Sequence, residues 1–258
     1  MGRSLAVQLR DRLHIQEQAC TETGKALSGL ETLEAPLILL LAPILLILWV
    51  YYGKSAHFVH FFGGSGGLRG RGGQDVYAVI YEYLAAFLVL FCIPALLVKA
   101  GFKKSLREFG LQHGDAREGL RLTAVALPVL LAAVYLGSAD PAVQAEYPQA
   151  KSTMGHLAPF LIVEGFYLIY YLGWEFFFRG FMLFGLEQHY GALTAILIQT
   201  IPSAIVHIGK PFPEAFAAIF AGLIFGYVAV RSRSVFYPLL LHAAVGIGTD
   251  VFVMMRLV

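Results

Sequence analysis

The chain has 258 residues, 58% of them hydrophobic and only 14% charged, with a mean hydropathy of +0.68. Soluble domains carry about a quarter charged residues and about 45–50% apolar ones, so this balance excludes a soluble globular fold, a disordered chain and a nucleic-acid binder. A net charge of +2 does not point to acidic partners. What remains is an all-α, polytopic integral membrane protein whose partner is the lipid bilayer. At about 20 residues per spanning helix, the length accommodates about seven spans, within a range of six to eight.

Residues 1–34 form a polar N-terminal segment in which Arg3, Arg10, Arg12 and Lys25 mix with Asp11, Glu17, Glu22, Glu31 and Glu34. The segment lacks the compact apolar stretch of a signal peptide. Cys20 lies here and Cys92, the other cysteine, lies inside an apolar run, which argues against a disulfide between them. The chain contains no asparagine, so no glycosylation sequon exists.

Apolar runs follow at about 35–53, 75–98, 121–138, 157–178, 191–208, 213–230 and 235–255. Backbone groups in hydrocarbon must be satisfied internally, so runs of this length are helices. The pattern divides into N-terminal transmembrane helices over 35–140 and a core over 155–258. A break around Gly173–Gly185 would add an eighth span. Between the first two runs, Phe62–Gly73 is flexible by composition. Its Gly-Gly-Ser-Gly-Gly around Ser65 has the letters of a hydrolase elbow without the strand and helix such an elbow needs.

Basic residues orient multi-pass proteins. With seven spans and a cytoplasmic N-terminus, thirteen Lys and Arg fall on the cytoplasmic side and six on the other, which favours that orientation.

Ionisable residues inside spans are costly and face a cavity or a partner. Here they concentrate in the second half of the chain, as Glu164, Glu175, Arg179, His207, Lys210, Glu214, His242 and Asp250, against mainly Glu82 in the first half. Glu175 and Arg179 are four apart among Trp174 and Phe176–Phe178, so they share a helical face and are expected to pair. Glu164 lies eleven residues earlier, three turns plus about 20° on a continuous helix, so both carboxylates share that face. His207 follows an apolar run near Gly209, Pro211 and Pro213, with Lys210 and Glu214 close by. His242 sits mid-span, with Gly246 and Gly248 able to admit a close neighbour. Asp250, about 80° round the helix from His242, is able to share its site but not forced to. A Glu, an Arg and two His on three helices can build a hydrolytic site inside a bundle, activating a water and stabilising an oxyanion. His207, His242 and Glu175 are also candidate ligands for a divalent metal such as zinc; a metal-free, glutamate-driven route fits the same residues. No His-Glu-x-x-His helix is present.

The order Glu-xxx-Arg-Gly at 175–180, His207 and then His242 resembles the CPBP (ABI) family of intramembrane proteases, related to the type II CAAX prenyl endopeptidases. The resemblance covers roughly residues 155–250, and Arg-Glu-Phe-Gly-Leu at 107–111 is similar to a short amphipathic loop that precedes the family's core. It implies a membrane-embedded endopeptidase, with Glu175, Arg179, His207 and His242 catalytic and the peptide substrate hydrophobic or membrane-tethered. It further implies a multi-pass protein of a bacterial plasma membrane. Two positions depart from the family pattern. The first Glu of its Glu-Glu pair is Trp174, and the Asn or Asp four residues after the last His is Gly246. The base's work then falls to Glu175, with Glu164, Glu214 or Asp250 supporting. Two other readings use the same residues: a non-catalytic scaffold or immunity-type binding protein, and a transporter or proton relay. The absence of a visible inverted repeat counts against the relay.

Overall fold

The protein, seen in a computed structural model that describes residues 30–62 and 73–257, is a bundle of helices. Cys20, Ser65 and most of the polar N-terminal segment lie outside the described residues. The elements are α1 (Leu30–Tyr52), α2 (Ser55–Phe62), α3 (Gln74–Gly101), α4 (Ala116–Gly137), α5 (Pro141–Glu146), α6 (Leu157–Tyr190), α7 (Ala192–Ile205), α8 (Phe212–Ser232) and α9 (Phe236–Leu257). Six of them are long and apolar enough to cross a membrane, and α7 is a shorter apolar helix. The seven runs expected from hydropathy are therefore all helices.

Local signals set several ends. Asp115 caps α4, accepting from the Glu118 amide at 3.0 Å, and Asp140 caps α5, accepting from the Ala142 amide at 2.8 Å. Each satisfies one of the amides a helix start leaves unpaired. Side chains such as Val129, Leu136, Leu193 and Phe212 are exposed, as expected of lipid-facing positions in a chain of this composition.

The centre of the bundle is α6. The break considered at Gly173–Gly185 does not occur, and the helix runs unbroken for 34 residues. Over Phe176–Phe184 it widens into a π-helix, whose i→i+5 bonds are a recurrent feature of functional sites. At about 1.5 Å per residue the element is about 50 Å long, well beyond the roughly 30 Å hydrocarbon core of a bilayer, so it crosses tilted or extends past it. Every residue from Gly173 to Leu186 is buried, as befits a helix apolar on all sides. Gly173 allows α3 to come close: a Cβ there would stand 3.1 Å from the Phe87 Cα. Gly180 does the same for the 105–111 connection, where the Phe109 carbonyl lies 2.9 Å from a Cβ position. The amphipathic stretch at 107–111 thus inserts Phe109 against the π segment.

α3 packs along α6, α7 along α8, and α4 along α9. Because the helices alternate in direction, one end of the bundle collects the end of α1, the start of α3, the α4–α6 connection and the α7–α8 connection. The cavity described next opens toward that end.

Candidate active site

Glu175 lies on α6 at the point where the α-helix becomes a π-helix, and is 0% exposed. Its Oε1 accepts from Arg179 Nη1 at 3.1 Å and from His242 Nδ1 at 2.6 Å. Arg179 is 1% exposed, and its guanidinium also lies over the Phe225 ring at 5.3 Å. The pairing expected from the i, i+4 spacing is present, and α9 adds His242 to it. With Nδ1–H donated to a carboxylate, the imidazole is held in one tautomer and Nε2 keeps its lone pair.

His207, just past the end of α7, is held in the same way. Its Nδ1 lies 2.7 Å from the carbonyl oxygen of Ser203, one turn earlier, which leaves Nε2 as an acceptor. Both imidazoles stand edge-on to the Trp174 indole, with centroids 5.6 Å away for His207 and 6.2 Å for His242. Trp174 is therefore a wall common to the two histidines.

His207, His242 and Trp174 line a cavity of about 220 Å³. Tyr83, Tyr167, Tyr170 and Tyr171 line it as well, with Phe225 and Gly246. Glu175 and Arg179 do not line it, and His242 stands between the carboxylate and the cavity. Nearer the mouth the polar groups are paired. Lys54 Nζ meets Glu82 Oε1 at 2.9 Å and sits 4.0 Å over Trp49, while the Ser55 amide holds the other Glu82 oxygen. Lys210 pairs with Glu146 at 2.6 Å. Glu214 accepts from the Tyr147 hydroxyl at 2.8 Å. Burial pushes the Tyr147 phenol well above its ordinary range, which keeps it a donor.

The structure separates two of the supporting residues from this cluster. Glu164 shares the helix of Glu175, but eleven residues at about 1.5 Å each put it about 16 Å along the axis. Its carboxyl lies close to that of Asp250 on α9, and neither acid lines the cavity. The shared face foreseen for Glu164 and Glu175 holds in angle and fails in depth. Asp250 likewise joins Glu164 rather than His242. Glu214 does line the cavity, toward its mouth.

Among the described residues no group of three or more His, Cys, Asp or Glu converges as a metal site. The two free Nε2 atoms are of a ligand type, but the third candidate, Glu175, spends Oε1 on His242 and Arg179 and is closed off from the cavity. The donor set does not fit a zinc held by His207, His242 and Glu175.

The sequence alone does not single out Tyr171. The signal available was the spacing of Tyr167 and Tyr171 within the apolar Tyr-Leu-Ile-Tyr-Tyr run of α6, which sets two phenols one turn apart on one face.

Residues 156–247 match the family model described as Type II CAAX prenyl endopeptidase Rce1-like. The matched segment runs from the start of α6 into α9, contains Glu175, Arg179, His207 and His242, and supports a CPBP/CAAX protease-like family for this part of the chain. No curated protein and no solved structure matches the chain.

Proposed function

We propose that the protein is an intramembrane endopeptidase that hydrolyses a peptide bond in a hydrophobic or membrane-tethered substrate, with His242 as the base. The observation that carries this reading is the Glu175–His242 hydrogen bond of 2.6 Å, backed by Arg179 and directed so that the free Nε2 faces the Trp174-lined cavity. A base oriented by a third group is the arrangement that activates a nucleophile in hydrolases on unrelated folds. A water in the cavity donates one hydrogen bond to His242 Nε2 and the other to His207 Nε2. His242 takes a proton as the water oxygen attacks the carbonyl carbon, and Glu175 stabilises the imidazolium. The same proton passes to the leaving nitrogen as the C–N bond breaks. Glu175 does the base's work indirectly, which is compatible with Trp174 standing where the family has its first Glu. Neither the scaffold nor the relay reading has an observation of its own, and the Glu164–Asp250 pair a relay would use stands apart from the cavity.

The basic-residue balance favours a cytoplasmic N-terminus, in what the family resemblance implies is a bacterial plasma membrane. The cavity mouth, at the end of the bundle where α1 stops and α6 starts, then faces away from the cytoplasm, and the substrate is a segment reachable from that side.

The test is cleavage of a membrane-peptide library by the purified protein in bilayers, with Glu175→Gln and His242→Gln alongside and a thermal-unfolding check on each. Cleavage lost in both folded variants and retained in chelator is the expected result. A native protein that cleaves nothing, or a His242→Gln variant that cleaves at the native rate, overturns the reading.

A further inference from the structure

Hydrolysis of an amide drives negative charge onto the carbonyl oxygen, and a donor must already point at the place where that charge develops, about 2.7–3.1 Å away. Most donors near the histidines are committed or shut off. Arg179 is buried behind Glu175 and outside the cavity. The Trp174 indole N–H has no partner but is buried away from the cavity surface, and Lys54 and Lys210 are paired toward the mouth.

The Tyr171 hydroxyl is differently placed. Its ring lies 4.3 Å from the His242 ring, and the residue lines the cavity. A Cβ built at Gly246 would collide with the Tyr171 hydroxyl oxygen, so the phenol tip occupies the space a side chain at 246 would fill. Gly246 is one turn after His242 on α9, and side chains so spaced stand about 5–6 Å apart at Cβ. The hydroxyl therefore sits beside His242 at the position from which residue 246 would otherwise face the cavity. Its neighbour is Tyr167, with ring centroids 4.3 Å apart, and rotation about the C–O bond can direct the Tyr171 O–H into the cavity.

We propose that the Tyr171 hydroxyl is the oxyanion donor of this site, and that Gly246 is glycine because the phenol takes its place. The proposal rests on the hydrolytic reading above. When water attacks, the carbonyl π pair moves to oxygen and the Tyr171 O–H turns to meet it. The water proton goes to His242 Nε2 and then to the leaving nitrogen as the C–N bond breaks and the carbonyl re-forms. Tyr171 keeps its own proton throughout. The residues at 171 and 246 form an interdependent pair: a side chain at 246 is accommodated only when the phenol is removed.

The experiment uses the full chain in bilayers and a peptide that the native protein cleaves. Tyr171→Phe keeps the ring and removes the donor. Its kcat is expected to fall about 10²–10³-fold, the range for loss of one oxyanion donor, with KM within about twofold because the contact strengthens only as charge develops. Tyr171→Ala with Gly246→Asn reinstates a donor from the other side of the same space, and its kcat is expected to exceed that of Tyr171→Ala at least about tenfold, since each factor of ten is about 1.4 kcal/mol of barrier. This second comparison also decides the matter if the Phe variant folds poorly. Undiminished kcat in folded Tyr171→Phe, with His242→Gln inactive, overturns the donor role and leaves the hydrolytic reading standing. A loss carried by KM alone overturns it too. A native protein that cleaves no peptide overturns both.

Discussion

Replacing Glu175 by Gln removes one charge from a buried cluster with little change in shape. The amide oxygen can still accept from His242 and Arg179, so the geometry of the site is largely kept. Two consequences separate in magnitude. Arg179, 1% exposed, loses its counter-charge, and breaking a buried pair from one side costs about 3–5 kcal/mol. The imidazolium formed when His242 takes a proton loses its stabilising carboxylate, and the turnover rate is expected to fall about 10³–10⁴-fold, or about 4–5.5 kcal/mol of barrier. The double variant Glu175→Gln with Arg179→Met distinguishes them. It removes the stranded cation, so unfolding stability in a fixed detergent should return to within about 1 kcal/mol of the native chain, while peptide cleavage should stay at the level of Glu175→Gln. The two readouts are a chemical-unfolding midpoint and single-turnover cleavage of one peptide. If the double variant is as unstable as the sum of the two single changes, Arg179 is not stranded by the loss of Glu175 and the ion-pair argument is wrong. Native cleavage by Glu175→Gln would refute the role assigned to the carboxylate.

Three further outcomes follow from the same geometry. His207→Gln should lower kcat about 10²-fold through poorer positioning of the water, yet shift stability by only about 1 kcal/mol, since one neutral hydrogen bond to Ser203 is at stake; unaltered kcat would remove His207 from the site. Glu164→Met should cost about 1–3 kcal/mol by leaving the neighbouring buried Asp250 carboxyl among apolar groups alone, and Glu164→Met with Asp250→Leu should recover most of that. Cleavage should be retained in both, and its loss would tie the acid pair to the chemistry. In a chain freed of native cysteines, Gln149→Cys at the cavity lining should react with a membrane-impermeant maleimide added outside intact cells; labelling only after the cells are opened would reverse the orientation.

Much of this protein is determined by local sequence. Seven apolar runs specify seven helices because hydrocarbon leaves the backbone no other way to satisfy its own hydrogen bonds. The Glu175–Arg179 pair follows from i, i+4 spacing in a chain of aromatics where neither charge finds water. The set Glu175, Arg179, His207 and His242 was legible as an ordered pattern of ionisable residues in apolar surroundings. Tertiary structure decided the rest. Spacing gives the angle of a residue on its own helix but not which helix lies opposite, so Glu164, correct in angle, meets Asp250 instead of Glu175. Only the packing of α9 against α6 sets His242 between Glu175 and the cavity, so that a carboxylate expected to face water is covered by an imidazole instead. Gly173 and Gly180, readable as helix breakers, serve close approach because Phe87 and the Phe109 carbonyl happen to lie against them. Against the pattern of the family the chain resembles, Gly246 reads as a missing polar residue. In the fold it is the space left for the Tyr171 hydroxyl, since two side chains 75 positions apart cannot occupy one volume and only the folded chain brings them to it.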